Sequence, residues 1–134
     1  MRSAPPMRLR SPLARAAGLG SAKEGVGHWI AQRVTAVALV PLALWFVAAV
    51  IRLAGADFDT MQAWVGRPLP AIGLVLLLIA TFYHAALGLQ VVIEDYVHGE
   101  LARLGLVIFT WLACIALAVA GIVAVLTLAL GAAD

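Results

Sequence analysis

The sequence predicts an all-α membrane protein built from three transmembrane helices, and three observations carry that prediction. Hydrophobic residues make up 64% of the 134 residues and charged residues only 12%, too little polar surface for a water-soluble globule. The charges gather in gaps, leaving residues 34–51, 69–93 and 104–133 free of Asp, Glu, Lys and Arg. As helices these runs extend roughly 27, 37 and 45 Å against a hydrocarbon core of about 30 Å, so the longer two must tilt or end early. Finally, backbone groups in lipid must be bonded within the segment, and three spans are too few to close a β-barrel. The expected spans cover approximately residues 30–52, 69–94 and 104–131, within an anchor domain over 27–134 that follows a basic flexible tail over 1–26.

The tail carries Arg2, Arg8, Arg10, Arg15 and Lys23 with no acid before Glu24. Such a composition also suits a mitochondrial transit peptide, but the pair Pro5-Pro6 and the short length favour a cytoplasmic tail. Ala54-Gly55-Ala56 has the look of a secretory cleavage site. The apolar run before it is too long for a signal peptide, so the first span belongs to the mature protein. Arg103, in the second connection, lies on the same side as the tail, whereas the other side has Arg52 and Arg67 and no cation after the third span. The positive-inside rule therefore puts the N-terminus in the cytoplasm and the C-terminus in the periplasm or intermembrane space. A bacterial cytoplasmic membrane is the expected location, ahead of the mitochondrial inner membrane.

In the first span, Trp29 stands where an interfacial aromatic belongs and Arg33 lies about one turn deeper. Arg33 either snorkels to the headgroups or, with His28 near the same boundary, holds an anion such as a cofactor carboxylate, with Gln32 and Thr35 helping to orient it. Pro41 is expected to kink this helix. The first connection contains Asp57, Asp59 and Trp64 in a stretch suited to a short surface helix. The third span contains the single cysteine, Cys114, which excludes a disulfide frame or a Cys-based metal site within the chain and reads as a small core residue.

The second span carries the chemistry. His84 lies deep within it, and Glu94, Asp95 and Tyr96 mark its cytoplasmic end. At about 100° per residue, Leu77, Ala80, Gly88, Val91 and Asp95 all fall within roughly 40° of His84. Gly88, one turn away, removes side-chain bulk where a flat ring or another helix would lie beside the imidazole.

An intramembrane histidine is a functional hypothesis by default, and the residues leave several roles open. His84 can be a packed ring bonded to a carbonyl, part of a proton relay, or an axial ligand of a haem iron. Two-histidine haem ligation needs a second imidazole, and His28 and His98 both lie near a membrane boundary. If haem is the ligand, the chain supplies half a site and a partner supplies the other histidine. No phosphate loop, HExxH helix, GxSxG elbow or Cys/His zinc spacing is present, so the chain is not expected to be catalytic on its own. No nucleic-acid partner is expected.

The entry Arg33-Val34-Thr35-Ala36, combined with the run His84-Ala85-Ala86-Leu87-Gly88-Leu89-Gln90-Val91-Val92-Ile93-Glu94-Asp95-Tyr96-Val97, resembles the hydrophobic membrane anchor family of succinate dehydrogenase. The resemblance spans nearly everything after residue 25. It implies that His84 is the axial ligand given to haem b, with the second ligand from the cytochrome b membrane protein of the same complex. It implies that Tyr96 hydrogen-bonds a ubiquinone carbonyl, with Asp95 beside it supporting proton delivery, and that Arg33 lies near the haem propionates and quinone. His28 is carried as a propionate-side candidate. His84 and Tyr96 are separated by roughly 18 Å along a helix, so a mid-membrane haem and a boundary quinone fit one site system. An iron–sulfur subunit and a flavoprotein are the further implied partners, passing electrons from succinate to the quinone pool. The rivals are a fumarate reductase anchor, a small transporter or proton-channel subunit gated by His84, and a purely structural anchor.

Overall fold

A computed structural model describes residues 22–131, with side chains from 25 onward. The basic tail up to residue 21, with Arg2, Arg8, Arg10 and Arg15, lies outside the described residues. The described chain is helical throughout, in the order α1 (Ala22–Leu53), α2 (Phe58–Val65), α3 (Pro68–Tyr96) and α4 (Glu100–Gly131), and contains no strand. Three helices are long and apolar enough to cross a membrane, over Gly25–Leu53, Pro68–Tyr96 and Glu100–Gly131. The fold class expected from composition is the one observed.

Against the expected span limits, α1 and α3 run past at both ends and α4 at its start, because helix geometry continues beyond the apolar run until a specific signal stops it. For α1 that signal is Gly55, whose φ of 83° is open to glycine at little cost. There the Ala56 N–H donates to the Leu53 carbonyl at 2.9 Å. Pro41 lies inside α1, which continues through it. For α3, Arg67 is the extended N-cap and Pro68 takes the first turn, where a missing N–H costs nothing. The same helix ends at Tyr96 because Val97 turns extended, its N–H still donating to Ile93 at 2.9 Å.

The short helix expected in the first connection is α2. The Asp57 carboxylate caps it by accepting the Thr60 N–H at 2.9 Å. Hydrogen bonds from the Thr60 side chain and then its backbone N–H hold the Asp57 carboxyl below the usual carboxylate range. The cap therefore persists above that range and is lost as pH falls through the lowered value.

The middle helix α3 is the hub, packing against α4 on one side and α1 on the other. Matched contacts show antiparallel neighbours. Going up α1, Gln32 approaches Gly88, Thr35 meets His84 and Trp45 lies on Gly73, so α3 is traversed backwards. Trp111 to Gln90 and Gly121 to Leu78 give the same reversal between α4 and α3.

The interior is small-residue packing, with Ala49, Ala86, Leu87 and Cys114 as its buried hydrophobics. Bulky residues such as Val37, Leu44, Leu69, Phe109 and Leu130 point outward. This is the distribution expected where lipid replaces water and helices gain by close approach. Cys114 is buried and unpaired, as its small-core reading expects.

Trp45 illustrates the fit. Its ring is stacked on Trp64 of α2, with centroids 5.9 Å apart and planes at 24°. A Cβ at Gly73 would fall 2.7 Å from Cη2 of that ring. Because the ring is also stacked on Trp64, it cannot swing aside freely. Gly73→Val is expected to overpack this contact by about 1–3 kcal/mol and lower the thermal unfolding midpoint of the purified protein. Gly105→Val, at a position with nothing within 4 Å, is the control and is expected to change it far less.

Candidate functional site

The N-terminal half of α1 and the C-terminal half of α3 enclose a groove of about 460 Å³ lined by Gly25, His28, Trp29, Gln32, Arg33, Ala36, His84, Gly88 and Val91. Antiparallel packing creates it. Residues one and two turns apart on α1 face residues one and two turns apart on α3, and Gly88 contributes no side chain to its floor. A Cβ on Gly88 would already lie 3.4 Å from Gln32 Nε2.

His84 is half-buried on the α3 wall. Its Nδ1 is 2.9 Å from Thr35 Oγ1, the polar contact between α1 and α3 at this depth. Among the described residues no hydrogen bond reaches its Nε2. Opposite, His28 is half-buried with an Nε2 that is enclosed and has no partner among the described residues. A buried nitrogen of that kind costs stability unless something completes it.

Arg33 holds its guanidinium carbon 5.5 Å from the centroid of the Trp29 ring. Such an arrangement uses the charge and leaves the N–H edges for an anion. Among the described residues the groove thus carries one fixed cation, two imidazoles and no acid, and its chemistry suits a ligand with an anionic edge and a group able to accept a nitrogen lone pair. Two other hollows lack such groups. One of about 320 Å³ lies against α2 and is lined by Phe46, Ala49, Met61, Trp64 and Leu74 among others. The other lies between α3 and α4, against Phe82, Ala86, Trp111 and Cys114. Neither offers a charged group to fix a ligand's orientation.

The structure therefore brings His28, Arg33 and His84 to one groove and keeps Asp95 and Tyr96 out of it. Tyr96 ends α3 with its side chain 78% exposed instead of turning inward, and Asp95 is exposed beside it. Of the stripe expected around His84, Gly88 and Val91 line the groove. His98 is exposed in the connection. Among the described residues no three His, Cys, Asp or Glu side chains gather as a metal cluster. Axial ligation requires only one.

Two features escaped the sequence. The first is Thr35 as the partner of His84. The second is a chain of hydrogen bonds in which Trp111 Nε1 donates to Gln90 Oε1 at 2.9 Å and Gln90 Nε2 donates to Glu94 Oε1 at 2.8 Å. The four-residue spacing of Gln90 and Glu94 signals the second bond. Nothing in the sequence gives the register that brings Trp111 to them.

Compared with known proteins, the chain matches the family model described as the succinate dehydrogenase/fumarate reductase transmembrane subunit over residues 7–130. The chain belongs to that family. It is 40% identical over 117 residues to the succinate dehydrogenase hydrophobic membrane anchor subunit of Rickettsia bellii (strain RML369-C), covering 87% of this chain and 94% of the relative. The protein of the same description from Paracoccus denitrificans is 38% identical over 108 residues, covering 78% and 84%. The succinate dehydrogenase membrane anchor subunit of Reclinomonas americana is 33% identical over 85 residues, covering 61% and 71%. No solved structure matches the chain. The resemblance read from the α1 entry and the His84 to Val97 run is thus borne out.

For this transmembrane subunit the Trp111 to Gln90 bond is expected to couple α4 to α3. A double-mutant cycle with Trp111→Phe and Gln90→Leu, measured by unfolding in bilayers, is expected to give a coupling of about 0.6 kcal/mol and less than about 2.

Proposed function

We propose that this chain anchors the catalytic subunits of succinate dehydrogenase at the membrane and contributes His84 as one axial ligand of a haem b shared with the cytochrome b subunit. It also helps to form a ubiquinone site through which electrons from succinate oxidation reach the quinone pool. The observation that carries the reading is the groove, where His84 presents a nitrogen with no partner among the described residues beside Arg33 and the orphaned Nε2 of His28. The donor set fits one half of a haem site: one imidazole for the iron, and a cation with a second imidazole for carboxylates. Haem b, when bound, supplies a one-electron centre.

The roles of the chain's own residues follow from their placement. His84 donates a nitrogen lone pair, Arg33 and His28 neutralise and hydrogen-bond the propionate edge, and Gly88 leaves room for a flat ring. Tyr96 and Asp95 stand outside the groove, at the end of α3. We assign Tyr96 to donate its hydroxyl proton to a ubiquinone carbonyl, a bond that strengthens as charge builds on that oxygen. Asp95 supports proton delivery from the aqueous boundary. The exposure of Tyr96 fits a site closed by partner subunits, the iron–sulfur subunit among them. The cation distribution supports an N-terminus in the cytoplasm of a bacterium, which puts the Tyr96 end beside the soluble subunits.

The family description covers fumarate reductase as well, so the same architecture running quinol oxidation is the second reading. The relatives' names favour the succinate dehydrogenase direction over it and an anchor over a transporter.

Two measurements test the proposal in the co-purified complex. His84→Ala is expected to abolish the b-type reduced-minus-oxidised spectrum, and an unchanged spectrum would sink the ligand assignment. Tyr96→Phe is expected to lower ubiquinone reductase turnover by on the order of tenfold or more while leaving that spectrum intact. Normal turnover and quinone affinity would remove Tyr96 from the site.

A further inference from the structure

The hydrogen-bond geometry around Thr35 fixes more than a contact. Its Oγ1 lies 2.8 Å from the Ala31 carbonyl and 3.1 Å from the Gln32 carbonyl, both on its own helix. The same atom lies 2.9 Å from His84 Nδ1. A hydroxyl has one proton and two lone pairs. Carbonyl oxygens are acceptors only, so the two of them claim that proton, shared toward the nearer Ala31. What remains on the side of the imidazole is a lone pair. In that arrangement His84 Nδ1 is the donor.

An uncharged imidazole carries a single N–H. With Nδ1 protonated, Nε2 is left as a bare lone pair, and no described residue bonds it. Had Thr35 been a donor to the ring, Nε2 would carry the proton and could not serve as a ligand. The chain of donors running from His84 Nδ1 to Thr35 Oγ1 to Ala31 O also restrains the ring plane, because each bond polarises the next.

We infer that Thr35 is a positioning residue for His84: it selects the Nδ1–H tautomer and fixes the ring so that Nε2 faces a metal centre as its lone-pair donor. The inference rests on the haem reading above for the identity of that centre, but not for the tautomer. Thr35 is a neutral acceptor, so it orients the ring without the added basicity that a carboxylate partner confers. In this arrangement α1 takes part in ligation without supplying a ligand, and its position relative to α3 becomes a determinant of the site.

The test uses the full chain in lipid bilayers with 15N-labelled histidine, read by solid-state NMR, the His84 signals being identified by their loss in His84→Gln. Wild-type protein is expected to show His84 protonated at Nδ1 and bare at Nε2. Thr35→Ser keeps the hydroxyl and is expected to preserve that pattern. Thr35→Val keeps the shape without the hydroxyl and is expected to give mixed tautomers. In the assembled complex, Thr35→Val is expected to weaken haem retention by about 10–100-fold and Thr35→Ser by far less.

An Nε2-protonated His84 in the wild type overturns the inference without reference to any variant, and so does an unchanged tautomer in Thr35→Val. An unchanged b-type spectrum in His84→Ala is a different failure. It removes the haem reading, and the role given to Thr35 in ligation with it, while the tautomer is still read from the haem-free chain.

Discussion

Hydrocarbon offers no hydrogen-bond partners, and the rest of this structure depends on that constraint. Several polar groups within the spans find their partners in protein. Thr127 turns back to the Val123 carbonyl at 2.8 Å. Thr35 does the same to Ala31 and Gln32, and Trp111 reaches across to Gln90. Each bond either stays on its own helix or fixes one helix to another, so meeting the constraint also determines how α1, α3 and α4 are held together. His28 Nε2 is the buried exception among the described residues, and it lies in the groove that also contains His84.

Between these bonds the helices are held by shape. Gly73 lets the Trp45 ring lie on α3, and Gly121 brings Leu78 within 3.0 Å of where a Cβ would stand on α4. In lipid, close approach of this kind replaces the water-driven burial that organises a soluble core. This explains why the interior contains Ala86 and Cys114 while bulky residues face outward. A hub helix with small residues toward both neighbours lets α1 and α4 pack on opposite sides without competing for the same surface.

Much of this was legible from one-dimensional information. Charge-free runs located the spans, Asp57, Asp59 and Trp64 marked a short connecting helix, and the 3.6-residue period put Gly88 and Val91 beside His84. The rest depends on register between helices, which periodicity along a single helix does not contain. Hence Thr35, legible only as a neighbour of Arg33, proved to be the partner of a residue 49 positions away. The same blindness applied to Tyr96. Its place at the end of the second span was legible, yet its direction was not, and it projects outward.

The enclosed nitrogen of His28 has a consequence for the stability of the isolated chain. A copy of this chain lacking its mates keeps an unmet hydrogen-bonding group within its fold, and neither lipid tails nor its own described residues relieve it. An enclosed group of this kind costs stability until something completes it, so whatever reaches that nitrogen gains free energy by binding there.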